Sequence, residues 1–437
     1  MTDRRHDSWV ARDTARVWHG FTQMSAFAHN SPIVVERAEG RELIDVDGNR
    51  YLDAISSLWV TTLGHHVAEL DRAIVEQLGK VAHSTMLGHG NTATVELAEA
   101  LSPVVPVPDP HFLFASDGAA AVEQALRIAF QFWANEGITG RTRYLALGGA
   151  YHGDTIGALS VGAGGFGTDL LDPLRFPVVR APGYADPGWA DAAITLLHTH
   201  APTLAALVIE PLVQGAAGMQ IADPGDVRRV VEAAQHANVL VIADEVAVGF
   251  GRTGTLFASE QCDISPDLLV IGKGLTGGYL PLSATVANRR VYDAFLGADL
   301  SEQTLYHGHS YSGNAVACAV ALRHLALIDE WDVLANVNAR AAELRQLLTA
   351  QIEKLPTVAH VRQHGLMAGV ELAPPAHDLR WGRRVCAAAV RRGVLLRPLG
   401  DVVVLMPMLT STADEIDRIV ATLADSVDEV STDRDLT

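Results

Sequence analysis

Leu268-Leu269-Val270-Ile271-Gly272-Lys273-Gly274 is a short apolar run ending in a lysine between two glycines, and upstream Val239-Leu240-Val241-Ile242-Ala243 ends in Asp244-Glu245. Apolar runs of this length read as buried strands of a parallel sheet. Together they bring a lysine and an acid to their carboxyl ends, the edge of an open α/β sheet where ligand crevices form. A lysine at a strand end is more often a solvated surface residue, and an acid there more often a turn or helix cap. The glycines argue against the surface reading: Gly272 and Gly274 allow a ligand close to the backbone, which a surface lysine does not need. Asp244 leads into Gly249-Phe250-Gly251-Arg252-Thr253-Gly254, a loop suited to border a site. A lysine able to make a Schiff base and an acid able to keep a pyridinium nitrogen protonated are the chemical minimum for a pyridoxal 5'-phosphate (PLP) site.

Working outward, His111-Ala115, Tyr144-Leu147 and Leu204-Glu210 read as further strands. Between them Ala119-Trp133 has helical spacing, with Val122, Leu126, Ala129, Phe130 and Trp133 on one face. Alternating strands and helices predict an α/β fold, a mostly parallel sheet with helices on both sides. The character changes after Asn314. One long helix is expected from about Trp331 to Lys354, then strands at Val358-Arg362, Leu366-Leu372 and Val402-Met406, helices near Leu379-Arg392 and Ala413-Val427, and a frayed tail from Asp428.

Composition sets the outer limits. The chain has 437 residues, 49% hydrophobic and 19% charged, enough for a large core and two or three domains. Its 33 basic and 51 acidic residues give a net charge of -18 with no basic cluster, which argues against nucleic acid as a partner. Cys262, Cys318 and Cys386 lack disulfide or metal spacing, and the N-terminus lacks an apolar signal core. A cytoplasmic protein with no metal and no membrane contact is expected.

The rest of a PLP site can be sought near Lys273 and Asp244. Ser116-Asp117-Gly118-Ala119 lies between a strand and a helix, where free backbone N–H groups can hold a phosphate, although an ordinary βα turn looks the same. Tyr151-His152-Gly153-Asp154 follows another strand and offers an aromatic face, and Glu210-Pro211 ends a third. Gly162-Ala163-Gly164-Gly165-Phe166-Gly167 matches the spacing of dinucleotide-binding loops, but it runs into Asp172-Pro173 and no βαβ unit is expected around it. A non-catalytic nucleotide-binding protein built on that loop would be colourless and bind NAD.

The blocks Asp244-Glu245-Val246-Ala247-Val248-Gly249-Phe250-Gly251-Arg252-Thr253-Gly254 and Gly272-Lys273-Gly274-Leu275-Thr276-Gly277-Gly278 resemble the signatures of class III aminotransferases, which are fold type I PLP enzymes. The resemblance covers nearly the whole chain. It implies a seven-stranded, mostly parallel sheet in a large domain, 61–325, and a smaller α+β domain from both termini, 1–60 and 326–437. Lys273 would form the Schiff base and move the proton, Asp244 would pair with the pyridinium nitrogen, and Val246 and Tyr151 would cover the two ring faces. Gly118 and Ala119 would bind the phosphate, with His152 and Glu210 beside the cofactor. Ser310 would reach the phosphate of the neighbouring subunit, which implies a homodimer with shared sites.

Within the class, Trp18-His19-Gly20-Phe21-Thr22-Gln23-Met24, Ser56-Ser57-Leu58-Trp59, Val213-Gln214-Gly215, His307-Gly308-His309-Ser310 and Arg397-Pro398-Leu399-Gly400 resemble the branch that aminates 8-amino-7-oxononanoate in biotin synthesis. Phe21 and Trp59 would line an apolar wall, and Arg397 would bind the substrate carboxylate. Relatives acting on ornithine or 4-aminobutyrate carry a glutamate that pairs with the corresponding arginine; here the stretch reads Gly215-Ala216-Ala217-Gly218. Members using S-adenosylmethionine show a tyrosine where Phe21 stands and paired tryptophans where Leu58-Trp59 stand, so this chain is more similar to those using L-lysine. Val248, in place of threonine, and Asp117-Gly118-Ala119 depart from the usual pattern. A broad-specificity ω-aminotransferase, or an aminomutase or PLP-binding regulator, would share the same scaffold.

Overall fold

The computed structural model describes residues 5–30, 32–164, 167–376 and 379–432. At its centre is a seven-stranded sheet of β1 (His111–Ala115), β2 (Arg143–Leu147), β3 (Val179–Ala181), β4 (Leu204–Ile209), β5 (Leu240–Asp244), β6 (Leu268–Ile271) and β7 (Ser283–Ala287). Their order is β1-β7-β6-β5-β4-β2-β3. β7 runs antiparallel to both neighbours, and the remaining pairs are parallel. Every residue of β4, β5, β6 and β7 is buried, which is why β4, β5 and β6 read as continuous apolar runs.

Helix α1 (Gly118–Asn135) follows β1 and starts where the Asp117 carboxylate accepts a hydrogen bond from Ala120 N at 2.9 Å. Val122, Leu126, Ala129 and Trp133 are buried as expected, but Phe130 is 48% exposed; Phe132 takes the inward position. Glu245, directly after β5, is fully buried and accepts hydrogen bonds from Ala258 N at 2.6 Å and Ser259 N at 2.8 Å, capping the helix Ala258–Cys262. Burial raises its pKa to about 7.

Two smaller sheets flank this body. Val35–Glu39, Glu42–Asp45 and Arg50–Asp53 are joined by Val394–Leu395 from the other end of the chain, paired parallel to Arg50–Asp53. Val358–His364, Met367–Leu372, Val402–Leu405 and Arg397–Leu399 form an antiparallel sheet.

β3 and β7 escape a reading by apolar runs. β3 carries Arg180 in its middle, and β7 alternates small and hydroxylated residues. The long helix begins at Val333, after Asp332 with φ 48, and its last turn widens into a π-turn at Leu348–Ile352. The final helix, Ala413–Thr432, continues past Asp428; residues 433–437 lie outside the described part.

The glycine-rich stretch 162–167 differs from the expectation for its surroundings. It does sit within a βαβ crossover, between β2 and β3, but after the helix α2 (Ile156–Val161), with Gly162 as C-cap; Gly165 and Phe166 lie outside the described residues. Arg180 donates to the carbonyls of Ser160, Val161 and Gly162 there. A helix carboxyl end satisfied by an arginine has the wrong polarity for a pyrophosphate, which needs an amino end.

Candidate active site

Asp244 ends β5 and Lys273 stands just past β6, so the register of two neighbouring strands brings the acid and the amine to one sheet edge. There they line a cavity of about 670 Å³ together with Trp59, Tyr151 and Val246. Lys273 takes a left-handed φ of 42, and its Nζ lies 4.8 Å from the centre of the Trp59 ring. Burial pushes the Lys273 ammonium below its ordinary pKa, while Asp244 and Glu210 oppose that shift. The amine is thereby closer to its neutral, nucleophilic form than a surface lysine is.

Asp244 is 5% exposed and held from two sides. His152 Nδ1 donates to its Oδ2 at 2.7 Å, and Val246 N donates to its Oδ1 at 3.1 Å. Among the described residues, buried His152 has no partner at Nε2. The pairing joins residues from different crossovers, and no local sequence signal announces it. Glu210 also lines the cavity, but both its oxygens face backbone amides: Oε1 accepts from Tyr151 N at 3.0 Å and Oε2 from Gly215 N at 3.4 Å. It thus ties the Tyr151 loop to the Gly215 loop, and burial raises its pKa to about 7.

Gly118 and Ala119, the first residues of α1, also line the cavity, while Asp117 takes the amide of Ala120. Glycine is required at 118, because a Cβ there would stand 2.8 Å from Val246 Cγ1. Gly153, with φ +122, packs so closely that a Cβ would meet that of Ala119 at 2.4 Å.

Three expected site residues do not line this cavity. Ser310 is exposed, and its carbonyl accepts from His83 Nε2 at 2.6 Å. Phe21 is 66% exposed on the segment before Met24. Arg397 is half-buried on the outer strand Arg397–Leu399, with no acid partner among the described residues. It pairs with Val404 and therefore shares a sheet face with Val404 and Leu399, which pack into the same cluster as Trp59 and Met367. Arg252, in the sequence only one member of a glycine-rich loop, is a buried cation donating to Pro407 O and, at 3.2 Å, to Ser56 Oγ. Burial lowers its pKa to about 10.

An amine over a strand end, a fixed carboxylate, a helix amino end and an orphaned imidazole nitrogen around one cavity fit PLP. The class III aminotransferase family matches residues 24–427. The chain belongs to that family. It is an aminotransferase and, like the class, PLP-dependent. The adenosylmethionine-8-amino-7-oxononanoate aminotransferase of Nitratidesulfovibrio vulgaris is 44% identical, over 95% of this chain and 80% of the relative. The crystal structure of the enzyme of that name from Methanocaldococcus jannaschii superposes with a TM-score of 0.93 at 35% identity, over 97% and 98% of the two chains. An amine transaminase from an uncultivated Pseudomonas species, in its PLP-bound form, has a TM-score of 0.89 at 33% identity, over 95% and 98%. Among the described residues no three potential ligands cluster as for a metal ion, and no helix is long and apolar enough to cross a membrane.

Proposed function

We propose that this enzyme transfers an amino group to 8-amino-7-oxononanoate, giving 7,8-diaminononanoate for biotin synthesis, with L-lysine as donor in a ping-pong cycle. The observation that carries the acceptor is Ala216 in the cavity wall, where ornithine- and 4-aminobutyrate-using relatives place a glutamate, together with an Arg397 that meets no acid among the described residues. Its guanidinium is free to take the acceptor carboxylate through parallel hydrogen bonds, while Trp59 offers apolar surface to the chain between.

PLP, when bound, supplies an aldehyde that condenses with amines and a ring that withdraws the electron pair left when a carbon-bound proton departs. The protein's own groups do the rest. Lys273 holds the cofactor and then carries the proton from one carbon to another as a general base and acid, a role its lowered pKa suits. Asp244, fixed by His152 and Val246 N, keeps a proton on the ring nitrogen. Tyr151 and Val246, both in the cavity lining, would cover the ring and exclude water from it, and Gly118 and Ala119 would anchor the phosphate. Ser310, exposed beside exposed Tyr306 and Tyr311, serves the neighbouring subunit of a homodimer.

S-adenosylmethionine is the second reading for the donor, favoured by the names of the relatives. Single half-reactions with each donor, followed by addition of 8-amino-7-oxononanoate and mass detection of the diamine, decide between them. Lysine alone should bleach the visible band and support product. Failure to aminate this acceptor from any donor, with turnover of simple ω-amines instead, would leave a broad-specificity ω-aminotransferase.

A further inference from the structure

Ser56, Ser57 and Trp59 have φ of 51, 59 and 65, left-handed values in a stretch that contains no glycine. Such backbone persists only where the surroundings hold it. Here the holder is Asp53, whose side chain is fully buried. Its oxygens accept from Ser57 N at 2.9 and 2.8 Å, from Ser57 Oγ at 2.8 Å and from His65 Nε2 at 3.1 Å. On the other flank Ser56 Oγ donates to Met406 O at 2.6 Å and accepts from buried Arg252, whose pKa Asp53 raises against the effect of burial.

The strained turn delivers one side chain to the site. The Trp59 ring is 8% exposed, lies 4.8 Å from Lys273 Nζ, and packs so tightly on Gly215 that a Cβ there would come within 3.2 Å of its Cζ3. We propose that Asp53 is a positioning residue for the transamination: its buried hydrogen bonds hold the Ser56–Trp59 turn so that the Trp59 ring covers the Lys273 amine. The inference rests on Lys273 as the reactive amine and is independent of which donor the enzyme uses.

The test uses Asp53→Asn, which keeps the shape but cannot accept from both Ser57 groups and His65 at once. In apoprotein, competitive amine labelling with peptide mapping should show Lys273 modified at least about fivefold faster, as it should in Trp59→Ala. In the holoenzyme, kcat/KM should fall about tenfold or more, with no further fall when Asp53→Asn is added to Trp59→Ala, because both act through one ring. Asp53→Asn/Ser57→Gly should recover much of the loss, since glycine takes the left-handed φ without help. A purely structural ion pair with Arg252 predicts instead a lower melting temperature with Lys273 labelling unchanged, additive effects and no rescue by glycine. That pattern overturns the proposal. Should Asp53→Asn not fold alone, the Ser57→Gly background supplies the comparison. Labelling equal in Ser57→Gly and Asp53→Asn/Ser57→Gly is then the expected result, and labelling raised by Asp53→Asn there counts against it.

Discussion

The floor of the cavity and the wall facing it are built by opposite means. Asp244 ends, and Lys273 closely follows, strands that are buried along their whole length, so core packing fixes where they stand. The wall around Trp59 comes from a turn with left-handed residues, and the further candidates for substrate contact, Phe21 and Arg397, lie on segments outside the cavity lining. Chemistry common to a whole class needs only the floor. Discrimination among substrates falls to parts the central sheet does not hold, so substitutions should separate the two: on the floor they should abolish catalysis, and on the wall they should redistribute it among substrates.

The largest effect is expected at Lys273. Lys273→Ala should lower turnover by about 10³-fold or more, the loss of a positioned base together with a covalent anchor. Borohydride reduction and peptide mapping of the unmodified enzyme should place the cofactor on Lys273. Turnover unaffected by the substitution would mean that the floor is not where the chemistry occurs. Asp244→Asn comes next, with a loss of about 10²-fold or more measured as kcat at saturating substrates, since the fixed negative charge that would face the ring nitrogen is removed and His152 loses its charged acceptor.

Beyond the wall, on the edge strand Arg397–Leu399, Arg397→Ala should raise KM for 8-amino-7-oxononanoate about 10- to 100-fold, the worth of charge-assisted hydrogen bonds to a carboxylate. The kcat with simple amines lacking a carboxylate should change far less. Equal losses for both kinds of substrate would remove the contrast between floor and wall.

This division also explains what could be read from the sequence. The floor was legible because continuous apolar runs followed by charged residues and glycines mean the same thing wherever they occur. β3 and β7 were not, because Arg180 and the Ser283-Ala284-Thr285 pattern do not mark themselves as sheet. The link between His152 and Asp244 was hidden because it joins two crossovers, and the Asp53 clamp because its strain shows only in backbone angles. Glu210 lines the same cavity as Lys273 and Asp244, but the sequence gives no sign that its carboxylate holds two loops together.

That position of Glu210, between the Tyr151 loop and the Gly215 loop, gives the smallest prediction. Burial lifts its pKa from 4.5 to about 7, so between those values the folded protein binds this proton and the unfolded chain has released it. Stability from this group is therefore fully present below pH 4.5 and is lost as pH rises through 7. Glu245, also raised to about 7, acts in the same direction. The apoprotein should melt lower at pH 8 than at pH 6, and Glu210→Gln, which cannot ionise, should make that decline shallower by about 2–4 °C. A melting profile of the variant parallel to that of the parent would show that Glu210 keeps its charge throughout, stabilised by the two amides and by the nearby Lys273, and that the tie between the loops is a carboxylate at every working pH.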